Sequence, residues 1–173
     1  MKHKFILALD PSGSYYEGKG TTGWCVYNAD MNCISLAGFI EARRHDTRLG
    51  YWDSHIALLQ KYHERYKDNL HIVIEDYRLY ASRADSQINS RMETCKLIGI
   101  LQYYCEANDI SYNMQLAAEV KTRWSDEILF HKGLIVHKNK KYTLPDKKTI
   151  VNKHACDAIR HAVHYATFKN KEE

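Results

Sequence analysis

The sequence predicts an α/β fold, a five-stranded mixed sheet flanked by helices. Three observations predict it. The apolar segments 4–9, 22–27 and 33–41 are joined by short turns, which suits an antiparallel meander. Two later apolar segments, 71–75 and 110–114, each follow a helical pattern, which suits parallel pairing. The stretches between them repeat their apolar residues at helical spacing.

Segment 4–9 is apolar from Ile6 to Leu9 and runs straight into Asp10, Pro11 and a glycine-containing turn. Strand 22–27 follows, then the hairpin turn "NADMN", then strand 33–41. Residues 52–66 carry Trp52, Ile56, Leu59 and Tyr62 or His63 on one helical face. "HIVIE", residues 71–75, is a short strand that again ends on a carboxylate. A long helix over 84–108 has the stripe Ile88, Met92, Cys95, Ile98, Leu101 and Cys105, and Asn108-Asp109 ends it. Strand 110–114 precedes a helix over 117–130, which Gly133 breaks. Residues 134–144 read as a lysine-rich hairpin turning at Asn139, or as a loop, closed by Pro145. A last helix covers 153–169.

A chain of 173 residues, 45% hydrophobic with two prolines, can bury a core, so residues 1–173 are expected to form a single domain. No apolar run approaches a membrane span and no signal-peptide pattern opens the chain, so a cytoplasmic protein is expected. The five cysteines are scattered without a CxxC pair and read as reduced core thiols. The net charge of +4 is unevenly spread: residues 132–153 hold seven lysines and one acid, Asp146. Such a cluster suits a nucleic-acid backbone, and a solvated loop is the other reading.

Asp10 and Glu75 each end a strand. If those strands are parallel neighbours, both carboxylates emerge at one sheet edge, where open α/β sheets hold ligands. Two close carboxylates repel unless a cation lies between them, and hard oxygen donors suit Mg²⁺ or Mn²⁺. In "NKHACDAIRHAVHYA" the residues Ala155, Ala158, Ile159, Ala162, Val163 and Ala166 form an apolar face, with His154, Asp157 and His161 along its flank. The expected convergence is therefore Asp10, Glu75, His154 and Asp157. Taken singly, Asp10 reads as a turn residue, Glu75 as a salt-bridge partner, Asp157 as an acid paired along its own helix and His154 as a helix-start residue. The joint pattern is what points to a metal site.

The ordered set resembles the RuvC-like Holliday junction resolvases of the ribonuclease H-like superfamily. "ILALDPSGSYYEGKGTTGWCVY" is similar to the family's first strand, metal-binding aspartate, glycine turn and second strand. "HIVIEDYRLYASRADSQINSRMETCKLIGIL" is similar to its second acid, loop and long helix. "AAEVKTRW" resembles the segment with a DNA-contacting lysine, here Lys121, and "HACDAIRHAVHY" the motif that closes the active site. Some members carry histidine as the third ligand, and His154 matches that variant.

The resemblance implies a ribonuclease H-like nuclease domain that cleaves branched DNA, in DNA recombination and repair, with two Mg²⁺ or Mn²⁺ ions about 4 Å apart. Asp10 would bridge the ions, with Glu75, Asp157 and His154 completing the set. Lys121, Arg123 and the lysines Lys138, Lys140 and Lys141 would hold phosphates, and Tyr77 and Tyr80 would stack on opened bases. The two-fold symmetry of a four-way junction suits a homodimer, with Leu97, Ile100 and Tyr103 of the long helix as its interface. A bacterial or phage-encoded enzyme would fit. The rival readings are another nuclease of this fold (a ribonuclease H or a transposase-like core), a small actin-like ATPase, and a non-catalytic DNA-binding module. Cleavage panels separate the first, nucleotide binding the second, and junction binding without cleavage the third.

Overall fold

The computed structural model describes residues 2–78, 92–138, 141–146 and 148–170, apart from the side chains of Lys138 and Lys141. Its main sheet has five strands: β1 (Phe5–Asp10), β2 (Thr21–Asn28), β3 (Cys33–Glu41), β4 (Leu70–Asp76) and β5 (Tyr112–Leu116). They lie in the order β3-β2-β1-β4-β5. The first three form the expected antiparallel meander, and β4 and β5 add in parallel beyond β1.

Successive side chains on a strand point to opposite faces, and here both faces are covered. Ile6, Ala8, Cys25, Tyr27 and Val73 face one apolar layer, completed by the last helix, α5 (Lys153–Phe168). Leu7, Leu9, Val26, Ile72 and Ile74 face the other, completed by α1 (Arg48–Tyr66) and α2 (Glu93–Ala107). This two-sided burial is why β1 and β4 read as unbroken apolar runs rather than alternating ones. Each large side chain so buried contributes about 1.5–3 kcal/mol.

Several boundaries depart from expectation for local reasons. α1 begins at Arg48 rather than Trp52, because the Thr47 hydroxyl caps it by accepting from the Gly50 N–H at 3.0 Å. Among the described residues α2 begins at Glu93; Met92 is left-handed (φ 52°), and 84–91, with Ile88, lie outside the described residues. β5 starts at Tyr112 rather than Ile110. Asp109 turns the chain at φ 52°, and the Ile110 N–H returns to the Cys105 carbonyl, so Ile110 belongs to the helix stop.

The helix expected over 117–130 is two short helices, α3 (Ala117–Lys121) and α4 (Asp126–His131). Ser125 restarts the chain by capping the Ile128 N–H. Gly133 ends α4 at φ 68°, as expected. The lysine-rich hairpin forms, as β6 (Val136–Lys138) and β7 (Lys141–Thr143), and a short β8 (Ile150–Val151) pairs with it; Asn139 at its tip lies outside the described residues. Leu97 does not project toward a partner: it is fully buried beneath α2, in the layer with Leu59 and Leu101. Tyr103, by contrast, is 73% exposed.

Candidate active site at the carboxyl edge of the sheet

β1 and β4 run parallel with Leu9 opposite Ile74, so Asp10 and Glu75 leave the sheet side by side at its carboxyl edge. Asp10 shares its face with Ile6 and Ala8, and Glu75 shares its face with Val73, so both carboxylates turn toward α5.

The start of α5 lies over this edge. Asn152 caps it by accepting the Ala155 N–H at 2.8 Å. Gly23, the register partner of Asp10 on β2, makes the approach possible. A Cβ at Gly23 would lie 2.0 Å from the His154 carbonyl carbon. Ala155, Ala158 and Ala162 continue the close packing along the helix. His154 is thereby held with Nδ1 2.7 Å from Asp10 Oδ2.

Asp157, one turn along, is buried. The Lys121 ammonium, at the end of α3, lies 3.1 Å from Asp157 Oδ2 and 4.0 Å from Glu75 Oε2. Arg160 donates to Asp157 and to Asp126, and its Nε–H reaches the Trp124 carbonyl at 2.7 Å. His161 is wholly buried, with Nε2 2.7 Å from Glu75 Oε2 and Nδ1 3.0 Å from Gln115 Oε1. The structure thus brings Asp10, Glu75, His154, Asp157 and Lys121 to one edge.

Their electrostatics are coupled. Burial alone would raise the Glu75 pKa, but the hydrogen bond and charge of His161, then the Lys121 charge, bring it below the ordinary value. The hydrogen bond to Asp10 raises His154 against the opposing effect of burial. Asp157 is raised: burial and the charges of Asp10 and Glu75 outweigh the nearby Lys121 ammonium. Burial pulls the Lys121 pKa down, yet Glu75 and Asp157 carry it above normal, so it stays cationic.

The donor set suits a hard divalent cation, since carboxylate oxygens predominate. The Lys121 ammonium already holds a positive charge between two of the carboxylates. Among the described residues no three His, Cys, Asp or Glu side chains are grouped to hold an ion as they stand. The acids are instead neutralised by Lys121 and Arg160.

The loop that follows Asp10 is anchored from two sides. Thr22 Oγ1 accepts the Ser12 N–H at 3.1 Å, and the Tyr51 hydroxyl donates to the Ser12 carbonyl at 2.5 Å. The Gly13 N–H reaches Thr94 Oγ1 at 3.1 Å, and a Cβ there would lie 2.1 Å from the Glu93 carbonyl oxygen. His55, buried under α1, meets Thr22 Oγ1 through Nε2 at 2.8 Å.

Arg123 lies over the Phe168 ring, at the end of α5 opposite His154. Tyr77 is half-buried against the α1–α2 layer. Tyr80 and Lys140 lie outside the described residues, as do the side chains of Lys138 and Lys141. Two residues were missed by the sequence reading as parts of the site. His161 shares the flank of His154 and Asp157, and that spacing was the available signal. Arg160 enters the sequence reading only as one of the possible partners of Asp157 along the helix, with Lys153 and His161, and that ion pair forms.

No helix among the described residues is long and apolar enough to cross a membrane. No family model and no curated protein matches the sequence. Solved structures do match. Thermus thermophilus RuvC in complex with a Holliday junction substrate superposes with a TM-score of 0.67 at 12% identity, over 96% of this chain and 97% of that one. A second Thermus thermophilus RuvC structure gives 0.62 at 11% identity, over 95% and 94%. The strand order, the mixed pairing and the flanking helices thus make this chain RuvC-like in fold, a five-stranded sheet of the ribonuclease H-like type.

Proposed function

We propose that this chain is a structure-selective endonuclease that resolves Holliday junctions or other branched DNA by metal-dependent phosphodiester hydrolysis. The observation that carries the reading is the convergence of Asp10, Glu75, His154 and Asp157 at the carboxyl edge of a RuvC-like sheet. These four would hold Mg²⁺ or Mn²⁺. Bound there, the metal supplies an activated water and charge stabilisation for the leaving 3′ oxygen.

The protein's own groups do the rest. Asp10 and Glu75 sit on strand ends, which fix them better than a loop would. Lys121 is half-exposed beside them and positions a phosphate without reading sequence. Lys138, Lys140 and Lys141, clustered in the sequence, would add further phosphate contacts, and a homodimer would match two nicks to the symmetry of a four-way junction.

The test is a synthetic four-way junction incubated with Mg²⁺ or Mn²⁺, beside forks, flaps and RNA–DNA hybrids. Paired nicks in the junction, abolished by chelator and by Asp10→Asn, are expected. Cleavage of the hybrid alone would move the assignment to a ribonuclease H.

A second reading, a DNA-binding module without catalysis, is favoured by the neutralisation of the acids by Lys121 and Arg160. Tight junction binding with no cleavage in either metal would select it.

A further inference from the structure

We infer that Gln115 and His161 form a relay that positions the Glu75 carboxylate for the ion. The inference rests on the proposed role of Glu75 as a ligand. Glu75 and Gln115 are register partners on β4 and β5, so their side chains rise from the same face of the sheet. His161 descends from α5 between them, 2.7 Å from Glu75 Oε2 and 3.0 Å from Gln115 Oε1. His161 is 0% exposed and Gln115 1%. With both ring nitrogens engaged, the imidazole cannot turn without losing a bond.

The chemistry of each atom fixes its part. An ionised carboxylate only accepts, so the proton of the Glu75 bond sits on His161 Nε2. With that proton on Nε2, Nδ1 faces the Gln115 amide, which can present either its oxygen or its nitrogen to the ring. The Gln115 amide nitrogen is buried with no partner as placed. Turning the amide end for end lets that nitrogen donate to Nδ1 and leaves a carbonyl oxygen, the less costly orphan. The bond to Glu75 survives in either arrangement.

The surroundings argue against a purely structural role. Val73, Ala158 and Ala162 nearby show that an apolar junction of β4 and α5 packs well. Three polar side chains in that layer give up hydration which apolar ones would not. What they gain is orientation: His161 Nε2 meets Oε2 of Glu75 at 2.7 Å, and the Lys121 ammonium lies 4.0 Å from the same oxygen. Outer groups of this kind set the pose of a metal ligand and change affinity ten- to hundred-fold when removed.

The experiment has two arms on the DNA-free chain. Calorimetric Mn²⁺ binding is expected to weaken about ten- to hundred-fold in His161→Leu and in Gln115→Met, and to recover largely in His161→Gln, whose amide reaches near the Nε2 position. Equal melting temperatures of the Leu and Gln variants would separate positioning from folding. Nitrogen NMR of the His161 ring is expected to show a protonated Nε2 and an Nδ1 resonance that moves in Gln115→Met. Wild-type affinity in both His161→Leu and Gln115→Met, or an unmoved Nδ1 resonance, overturns the relay. Absence of Mn²⁺ binding in the wild type overturns the metal reading instead, and the ring spectrum then still decides whether Gln115 holds His161.

Discussion

Gly23 faces Asp10 across the β1–β2 register, and the His154 backbone occupies the space its missing side chain leaves. An added Cβ would meet main chain rather than a flexible side-chain tip, so α5 must shift. Gly23→Ala is expected to destabilise the fold by about 1–3 kcal/mol. It should also separate His154 from Asp10 and lower junction cleavage at least ten-fold, measured by urea denaturation and by a nicking assay.

Asp10→Asn preserves shape but removes the charge that His154 meets at 2.7 Å. Cleavage is expected to vanish while junction binding in a gel shift persists. Wild-type cleavage by this variant would remove Asp10 from the reaction.

Lys121 holds its ammonium between Glu75 and Asp157. In Lys121→Met that charge is gone, so Mn²⁺ binding without DNA is expected to tighten. Junction affinity should fall, and the slope of log affinity against log salt should drop by about 1. Calorimetry and salt-titrated gel shifts check the two parts independently.

Burial holds His55 at about 4 and His71 at about 3. An unfolded histidine titrates near 6.5, so below that pH the unfolded chain takes up protons that the native sites refuse. Stability is therefore lost as pH falls from 6.5 toward those lower values, with a slope of about 1.4 kcal/mol per pH unit for each histidine. His154 acts in the opposite sense: Asp10 raises it, so its contribution is present below 6.5 and fades as pH rises through the folded value. Urea midpoints at pH 7 and pH 5 should show a net loss at pH 5, and His71→Asn should flatten the slope.

Asn152 caps α5 through the Ala155 N–H. Asn152→Ala is expected to cost about 1 kcal/mol in denaturation. Because His154 lies in the turn so capped, nicking should slow more than the stability loss alone explains.

Much of this was legible beforehand because burial leaves a simple trace. β1 and β4 are covered on both faces, so their apolar runs and terminal acids stood out. The meander was legible from its short turns, and β3 matched at both ends. The split of 117–130 into two helices was hidden, since the Ser125 cap competes with a continuous apolar pattern. β8 is two residues long, too short for any periodicity to register. His161 was visible on the right flank, but nothing in one chain says that its reach ends on Glu75 and Gln115, which depends on the β4–β5 register. Leu97 looked surplus to the helix stripe because the angular width of a buried face is wider than one row of residues.

His154, Asp157 and His161 all ride on α5, whose side chains from Ala155 to Tyr165 are buried all round. The constellation thus has few independent parts: strand tips on one side, and on the other a single rod wedged in the interior. A change that slides this rod by one turn displaces three groups together. Errors in the interior and errors in the chemistry would then share one cause, and a repacked layer beneath Ile159 would restore both at once.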